Sequence, residues 1–256
     1  MKKYQVKYTL VSIIAVFAVL AVWQIYAVTH PDGMLASVTE VIQAFFRKFV
    51  DPNPDGATML QHLAASLQVA LTGYLIGVVI GVPLGICMAW YKKFDWFARP
   101  LFDLIRPIPG IAWIPVAIIL FGIGLLPKAM VIFISSFTAC VVNSYSGIKQ
   151  TETVHLWVGQ TYGASNLTML FKIAVPTALP LIMTGLKNAL GTSWGALVAA
   201  ELLASTRGLG FMIQQSRGLM RIDIIIAGMI TIGLVGALLG LLLDWLEKLV
   251  LRGGRW

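Results

Sequence analysis

A chain of 256 residues that is 58% hydrophobic and 12% charged, with a mean hydropathy of +0.84, does not suit a soluble globular domain. Its net charge of +8 comes with no basic patch interleaved with aromatics on a polar domain, so nucleic-acid binding is not the reading of that charge. Cys87 and Cys140 lie inside apolar runs without a Cys or His at ligand spacing, which leaves neither a disulfide framework nor a metal centre.

Lys2, Lys3 and Lys7 precede an apolar run, 10–29, that is too long for a signal peptide and ends without an Ala-x-Ala site, so it reads as a first membrane span. Residues 31–58 read as an outer segment, with an amphipathic piece at 37–50 and then the turn-rich Asp51-Pro52-Asn53-Pro54-Asp55-Gly56. The second span carries Gly73, Gly77, Gly81 and Gly85 at strict four-residue spacing, which opens a smooth groove along one helical face. That groove serves either static packing or the sliding of a moving bundle. Pro83 within it predicts a kink.

The stretch 99–110 holds Pro100, Pro107, Pro109 and Gly110, together with Arg106, at the inner part of a third span. A broken helix is expected there, and membranes tolerate one only against protein or a water-filled cavity. Arg106 either borders a solute path and attracts anions, or pairs with Asp103, or snorkels to the interface. The fourth span ends in Asn143, Ser144, Tyr145 and Ser146, polar enough to line a pathway or to bond across helices.

Beyond it, Gly163, Ala164 and Ser165 allow a tight turn, Ser165 or Asn166 can cap a helix, and Leu167, Leu170 and Phe171 recur at i, i+3 and i+4. The pattern predicts a short helix with one apolar face that ends before Pro176 and Pro180. The fifth span places Lys187 and Asn188 near mid-depth, followed by Gly191, Thr192, Ser193, Trp194 and Gly195. A lysine there costs roughly 3 kcal/mol, so it must face water, a partner or a solute rather than lipid. Glu201, at the outer end, is expected to hold the outer loop by backbone hydrogen bonds in preference to touching solute. The last span carries Gly228, Gly233, Gly236 and Gly240.

The chain thus reads as one all-α transmembrane domain over 1–256, with six spans near 10–30, 61–91, 97–123, 128–148, 174–203 and 222–250 and an inner loop near 150–172. Eleven basic residues (Lys2, Lys3, Lys7, Lys92, Lys93, Arg99, Lys149, Lys172, Lys248, Arg252, Arg255) fall inside against six outside (Arg47, Lys48, Lys128, Arg207, Arg217, Arg221), which puts both termini in the cytosol. His30, His62 and His155 read as interfacial residues at span ends.

Gly163, nine residues, then Ile173-Ala174-Val175-Pro176 resembles the G-x9-I-x-L-P half of the loop shared by membrane subunits of bacterial ATP-driven importers of the ATP-binding-cassette class. The Glu-Ala-Ala that usually opens that loop is Trp157-Val158-Gly159 here. Arg106-Pro107-Ile108-Pro109, Trp113-Ile114-Pro115 and Phe121-Gly122-Ile123-Gly124 are similar to the permeases that import taurine, other sulfonates and nitrate, as are Ala199-Ala200-Glu201-Leu202-Leu203 and the run 208–213. The resemblance implies that Tyr162, Gly163, Ala164, Ser165, Leu167, Leu170 and Phe171 form a coupling helix that docks on a separate ATPase. It also implies an outside protein that delivers the solute, in a bacterial cytoplasmic membrane.

No Gly-Lys dipeptide occurs, so the chain cannot build a phosphate-cradling loop and ATP with its Mg must bind a partner chain. Six spans make half of an alternating-access pathway, for which a homodimer with two ATPases is the simplest supply. Arg106, Asn143, Lys187, Asn188, Trp194 and Glu201 are the pathway candidates. No Ser/His pair, HExxH or carboxylate pair at catalytic spacing points to an enzyme. The alternative function is a self-contained secondary carrier or channel.

Overall fold

The computed structural model describes residues 2–30 and 35–252; Arg255, counted among the inner charges, lies outside the described residues. Helices account for every regular element described: α1 (Lys2–Thr29), α2 (Val38–Arg47), α3 (Met59–Trp90), α4 (Lys92–Ile105), α5 (Ile114–Phe121), α6 (Leu125–Lys149), α7 (Thr153–Thr161), α8 (Asn166–Met169), α9 (Val175–Ala204), α10 (Leu209–Gly218) and α11 (Ile222–Arg252). Among the described residues five stretches are long and apolar enough to cross a bilayer, and α4 with α5, bent by 80° at the break after Ile105, pass the same test only when taken together, which makes six if the bent pair is one span. The break falls where Pro107 and Pro109 withhold backbone donors, and a short 3-10 turn, Gly110–Trp113, bridges it.

The core is built on α3, α6 and α9. Gly73, Gly77, Gly81 and Gly85 are buried along one face of α3 and receive α6. A Cβ on Gly77 would stand 1.9 Å from Ser136 Oγ, and one on Gly85 would stand 2.5 Å from the Val141 carbonyl oxygen. Each small residue therefore seats an α6 group, which makes the contact an interlocked seam. Pro83 lies inside α3 without ending it. On the other side of α6, Gly147 receives Ala178 and Gly185 receives Asn143, whose Cβ would lie 2.6 Å from an added Cβ.

α1 is nearly free of this core, with 6% of its apolar window buried, and α2 begins with a complete capping box in which Ser37 Oγ accepts from Glu40 N–H (3.3 Å) and Glu40 Oε2 accepts from Ser37 N–H (2.7 Å).

The 150–172 loop departs from expectation in two ways. A helix, α7, precedes the Gly163 turn, and the helix after it does not stop at the prolines: 166–203 is one 38-residue rod. The reason is a π-turn at Leu170–Ala174, where Val175 N–H reaches back five residues to the Leu170 carbonyl. That extra residue puts Pro176 in the first turn of α9, where a missing N–H costs no bond.

Candidate functional site

The broken span, α6 and α9 line an open pocket of about 450 Å³. Arg106, Ser135 and Thr138 of α6, Thr192 of α9, Gly110 and Gly195 are among its lining residues. Gly110 is there because the 3-10 turn runs hard against α6: an added Cβ would meet Ser135 Oγ at 2.1 Å. Arg106 is exposed and pairs with no carboxylate among the described residues, Asp103 included. Ser135, Thr138 and Thr192 donate their protons to the carbonyls of Val131 (3.0 Å), Ile134 (2.9 Å) and Asn188 (3.0 Å), so Arg106 is the one charged donor lining the cavity, and a guanidinium so placed attracts an anion.

The same face of α9 continues this surface. Thr177, Thr184, Asn188, Thr192 and Gly195 are all exposed, at helical spacing. Thr184 and Thr192 donate to the carbonyls of Pro180 (2.9 Å) and Asn188 (3.0 Å), which satisfies their own protons inside the helix. Among the described residues nothing covers this stripe, and a polar face on a membrane-spanning helix calls for water or another protein surface beside it.

The other pathway candidates stand elsewhere. Asn143 donates to Ala139 O (2.8 Å) and packs in the α6–α9 seam against Gly185. Lys187 pairs with Asp244 (2.5 Å) and with Glu247 of α11, so its partner is protein, as the cost of burying it required. Trp194 donates to Ile232 O (3.1 Å) and lies over Gly236, lining with Lys187 and Asp244 a second cavity of about 310 Å³. Only Arg106 and Asn188 therefore share the side of the larger cavity.

Glu201 is 1% exposed and belongs to a network at the end of the bundle away from the 150–172 loop. Its Oε2 accepts from Gly210 N–H (2.9 Å), and Ser66 donates to both carboxylate oxygens (2.8 and 2.9 Å) while accepting from Leu209 N–H (2.8 Å). Gly208, at φ +135, presses so closely that a Cβ would sit 2.3 Å from the carboxylate carbon. His62 is fully buried beside this cluster, not interfacial as its position at a span end suggests. Its Nδ1 accepts from Gly208 N–H (3.2 Å), which places the ring proton on Nε2, donating to Asp55 Oδ1 at 3.1 Å.

Lys48, 2% exposed, completes the network through Asp55 at 2.7 Å. Burial pushes the Asp55 carboxyl up, but the bonds from His62 and Lys48 outweigh it and hold the group below the ordinary carboxylate value. The folded protein therefore binds this proton more weakly than the unfolded chain, and the stabilisation is complete above the unfolded value near 4 and lost as pH falls through the lower folded one. The melting temperature of the purified protein is expected to drop steeply below about pH 4. Asp55→Asn should melt lower at neutral pH and lose that part of the acid dependence; an identical acid limb in the variant would remove Asp55 as its source.

At the end of the bundle that carries the 150–172 loop, α7 exposes Val154, Trp157 and Val158, and Tyr162 is 87% exposed at the turn that Gly163 makes with φ +73. Ser165 caps α8 by accepting from Thr168 N–H (3.2 Å). Leu167 and Phe171 are exposed, whereas Leu170, at 3% exposure, turns inward among Ala89, Ile148 and Ala174 and anchors the loop to the core. Gly159 lets α7 rest on Ile173 and Met169. The exposed apolar side chains thus run across both α7 and the 162–171 stretch, from Val154 to Phe171. Val154, Trp157 and Val158 at i, i+3 and i+4 were the available signal for α7.

A family profile described as binding-protein-dependent transport system inner membrane component matches residues 77–255. The chain is 38% identical over 192 residues to the taurine transport system permease protein TauC of Escherichia coli (strain K12), covering 75% of this chain and 70% of that one. It is 30% identical over 249 residues to the bicarbonate transport system permease protein CmpB of Synechococcus elongatus, covering 95% and 90%, and 30% identical over 241 residues to the nitrate import permease protein NrtB of Leptolyngbya laminosa, covering 93% and 86%. Its fold is similar to a chain of the inward-facing MetNI methionine ABC transporter, with a TM-score of 0.66 at 17% identity over 75% of this chain and 95% of that one. A self-contained carrier is set aside by these matches, and so is an enzyme. The chain belongs to the inner-membrane components of binding-protein-dependent transport systems, as a permease subunit of an ATP-binding-cassette importer whose ATPase is a separate chain.

Proposed function

We propose that two copies of this permease form the path by which a small anion, such as taurine, another sulfonate, nitrate or bicarbonate, is imported across a bacterial cytoplasmic membrane. Both termini face the cytosol in this reading. Two ATPase subunits holding ATP and Mg grip the inner loops, and an outside binding protein delivers the solute. Nucleotide-driven closure of the ATPases moves α7 and α8, and the two permease halves rock between inward-open and outward-open states.

The observation that carries the anion assignment is Arg106, the one charged residue lining the larger cavity, which has no partner among the described residues. The relatives named for taurine, nitrate and bicarbonate support the same charge class. Arg106→Gln, in the complete reconstituted transporter, is expected to lower uptake of labelled taurine, nitrate or bicarbonate by about tenfold, the worth of one charge-assisted hydrogen bond, with assembly unchanged. Uptake at the unaltered rate would remove Arg106 from the path, and failure of all three anions to be taken up by the unaltered transporter would remove the anion class.

A further inference from the structure

We propose that Trp90 is a transmission residue: its indole bond to Asn166 makes the inner end of α3 follow the coupling unit. This rests on the reading that the inner loop docks on an ATPase. Three connections leave that unit. Its C-terminal end runs through the π-turn into α9, so α9 is driven directly. Its N-terminal end joins α6 through 150–152, none of which is helical, so α7 can swing about that linker. The third is Trp90, the last residue of α3, whose Nε1–H donates to Asn166 Oδ1 at 3.1 Å.

Among the described residues this is the one side-chain hydrogen bond that joins 153–174 to α3. Asn166 opens α8 directly after its cap, so the acceptor is fixed to the stiffest point of the loop. Ala89 and Trp90 also pack against the cluster of Leu170, Ala174 and Ala178, which sets the indole in place without supplying a directional tie. Because the glycine seam binds α6 to α3, whatever moves the end of α3 carries both helices. Trp90 would then turn a pull on one rod into a movement of the whole inner half.

Spin labels on the complete transporter with its ATPase, in nanodiscs, test this without knowledge of the solute, in a background carrying Cys87→Ala and Cys140→Ala. Labels replace the exposed Gln160 on α7, Lys93 just past α3, and Gln215 on α10 as an outer reference. In the otherwise unaltered protein, ATP with vanadate is expected to change the Gln160–Gln215 distance and leave the Gln160–Lys93 distance alone. Trp90→Phe keeps the ring but loses the N–H, and should let the Gln160–Lys93 distance shift by on the order of 5 Å, one helical turn. Asn166→Asp keeps an acceptor and should behave as the unaltered protein. A fixed Gln160–Lys93 distance in Trp90→Phe, or a nucleotide-dependent one before any change at Trp90, overturns the role of Trp90 while the docking reading stands. No nucleotide effect on Gln160–Gln215 overturns the docking reading itself, and the proposal with it.

Discussion

Replacing Gly77 with valine is expected to leave the permease unable to close its core. The new Cβ would lie 1.9 Å from Ser136 Oγ, which rotation of that side chain can relieve, but also 2.9 Å from the Phe137 nitrogen and the Ser136 Cβ, which it cannot. The helices must separate, and separation at Gly77 pulls on Gly73, Gly81 and Gly85, each of which holds a similar approach to α6 backbone. Overpacking of this kind costs about 3 kcal/mol, which in a protein of this size lowers the melting temperature by on the order of 10 °C. Gly233 supplies the contrast: it is on α11, with nothing within 4 Å of an added Cβ. Gly233→Ala should melt as the unaltered protein does, and a Gly77→Val variant that did the same would mean that the seam is not what holds α3 to α6.

The second large effect is functional and leaves the fold alone. Trp157 is 63% exposed on α7, with Val154 and Val158 exposed on either side. If this patch seats in the ATPase, a buried aspartate there loses an aromatic anchor and adds an unpaired charge. Trp157→Asp is expected to weaken capture of the ATPase by about 3 kcal/mol, roughly a hundredfold, and to abolish uptake. The amount and melting temperature of the permease in the membrane should not change. Leu167→Asp, also exposed, should act in the same direction, whereas Leu170→Asp would damage the core and says nothing about docking. Retention of the ATPase by Trp157→Asp would place the docking surface elsewhere.

Most of the framework was legible because it is local. Charge-free runs of bilayer length gave the spans, four glycines at one spacing gave the seam, and three prolines with a glycine gave the broken span. The 150–172 loop was half legible: the Gly163 turn and the Ser165 cap are where the residues place them, whereas α7 stands where Trp157-Val158-Gly159 replaces Glu-Ala-Ala. The unbroken rod through Pro176 was not readable, since a π-turn inserts one residue that no 3.6-residue period predicts. Long-range partners were out of reach in a different way. Lys187 announced a need for a counter-charge, yet Asp244 and Glu247 lie just past the charge-free run of the last span. Their three-residue separation, which puts both on one helical face, was the clue. Ser66 and His62 carry no local sign that they meet Glu201, Gly208 and Asp55 across the fold.

The 38-residue rod from Asn166 to Leu203 is roughly 57 Å long at 1.5 Å per residue, nearly twice the thickness of a bilayer's hydrocarbon. It is held at three levels: at Ala178 against Gly147, at Gly185 against Asn143 with no room for a methyl group, and at Glu201 by Ser66 and Gly210. A rod of that length reaches from the end of the bundle that carries the 150–172 loop to the end that holds Glu201, so in the proposed rocking motion a displacement at one tip is felt at the other with no separate signal crossing the membrane.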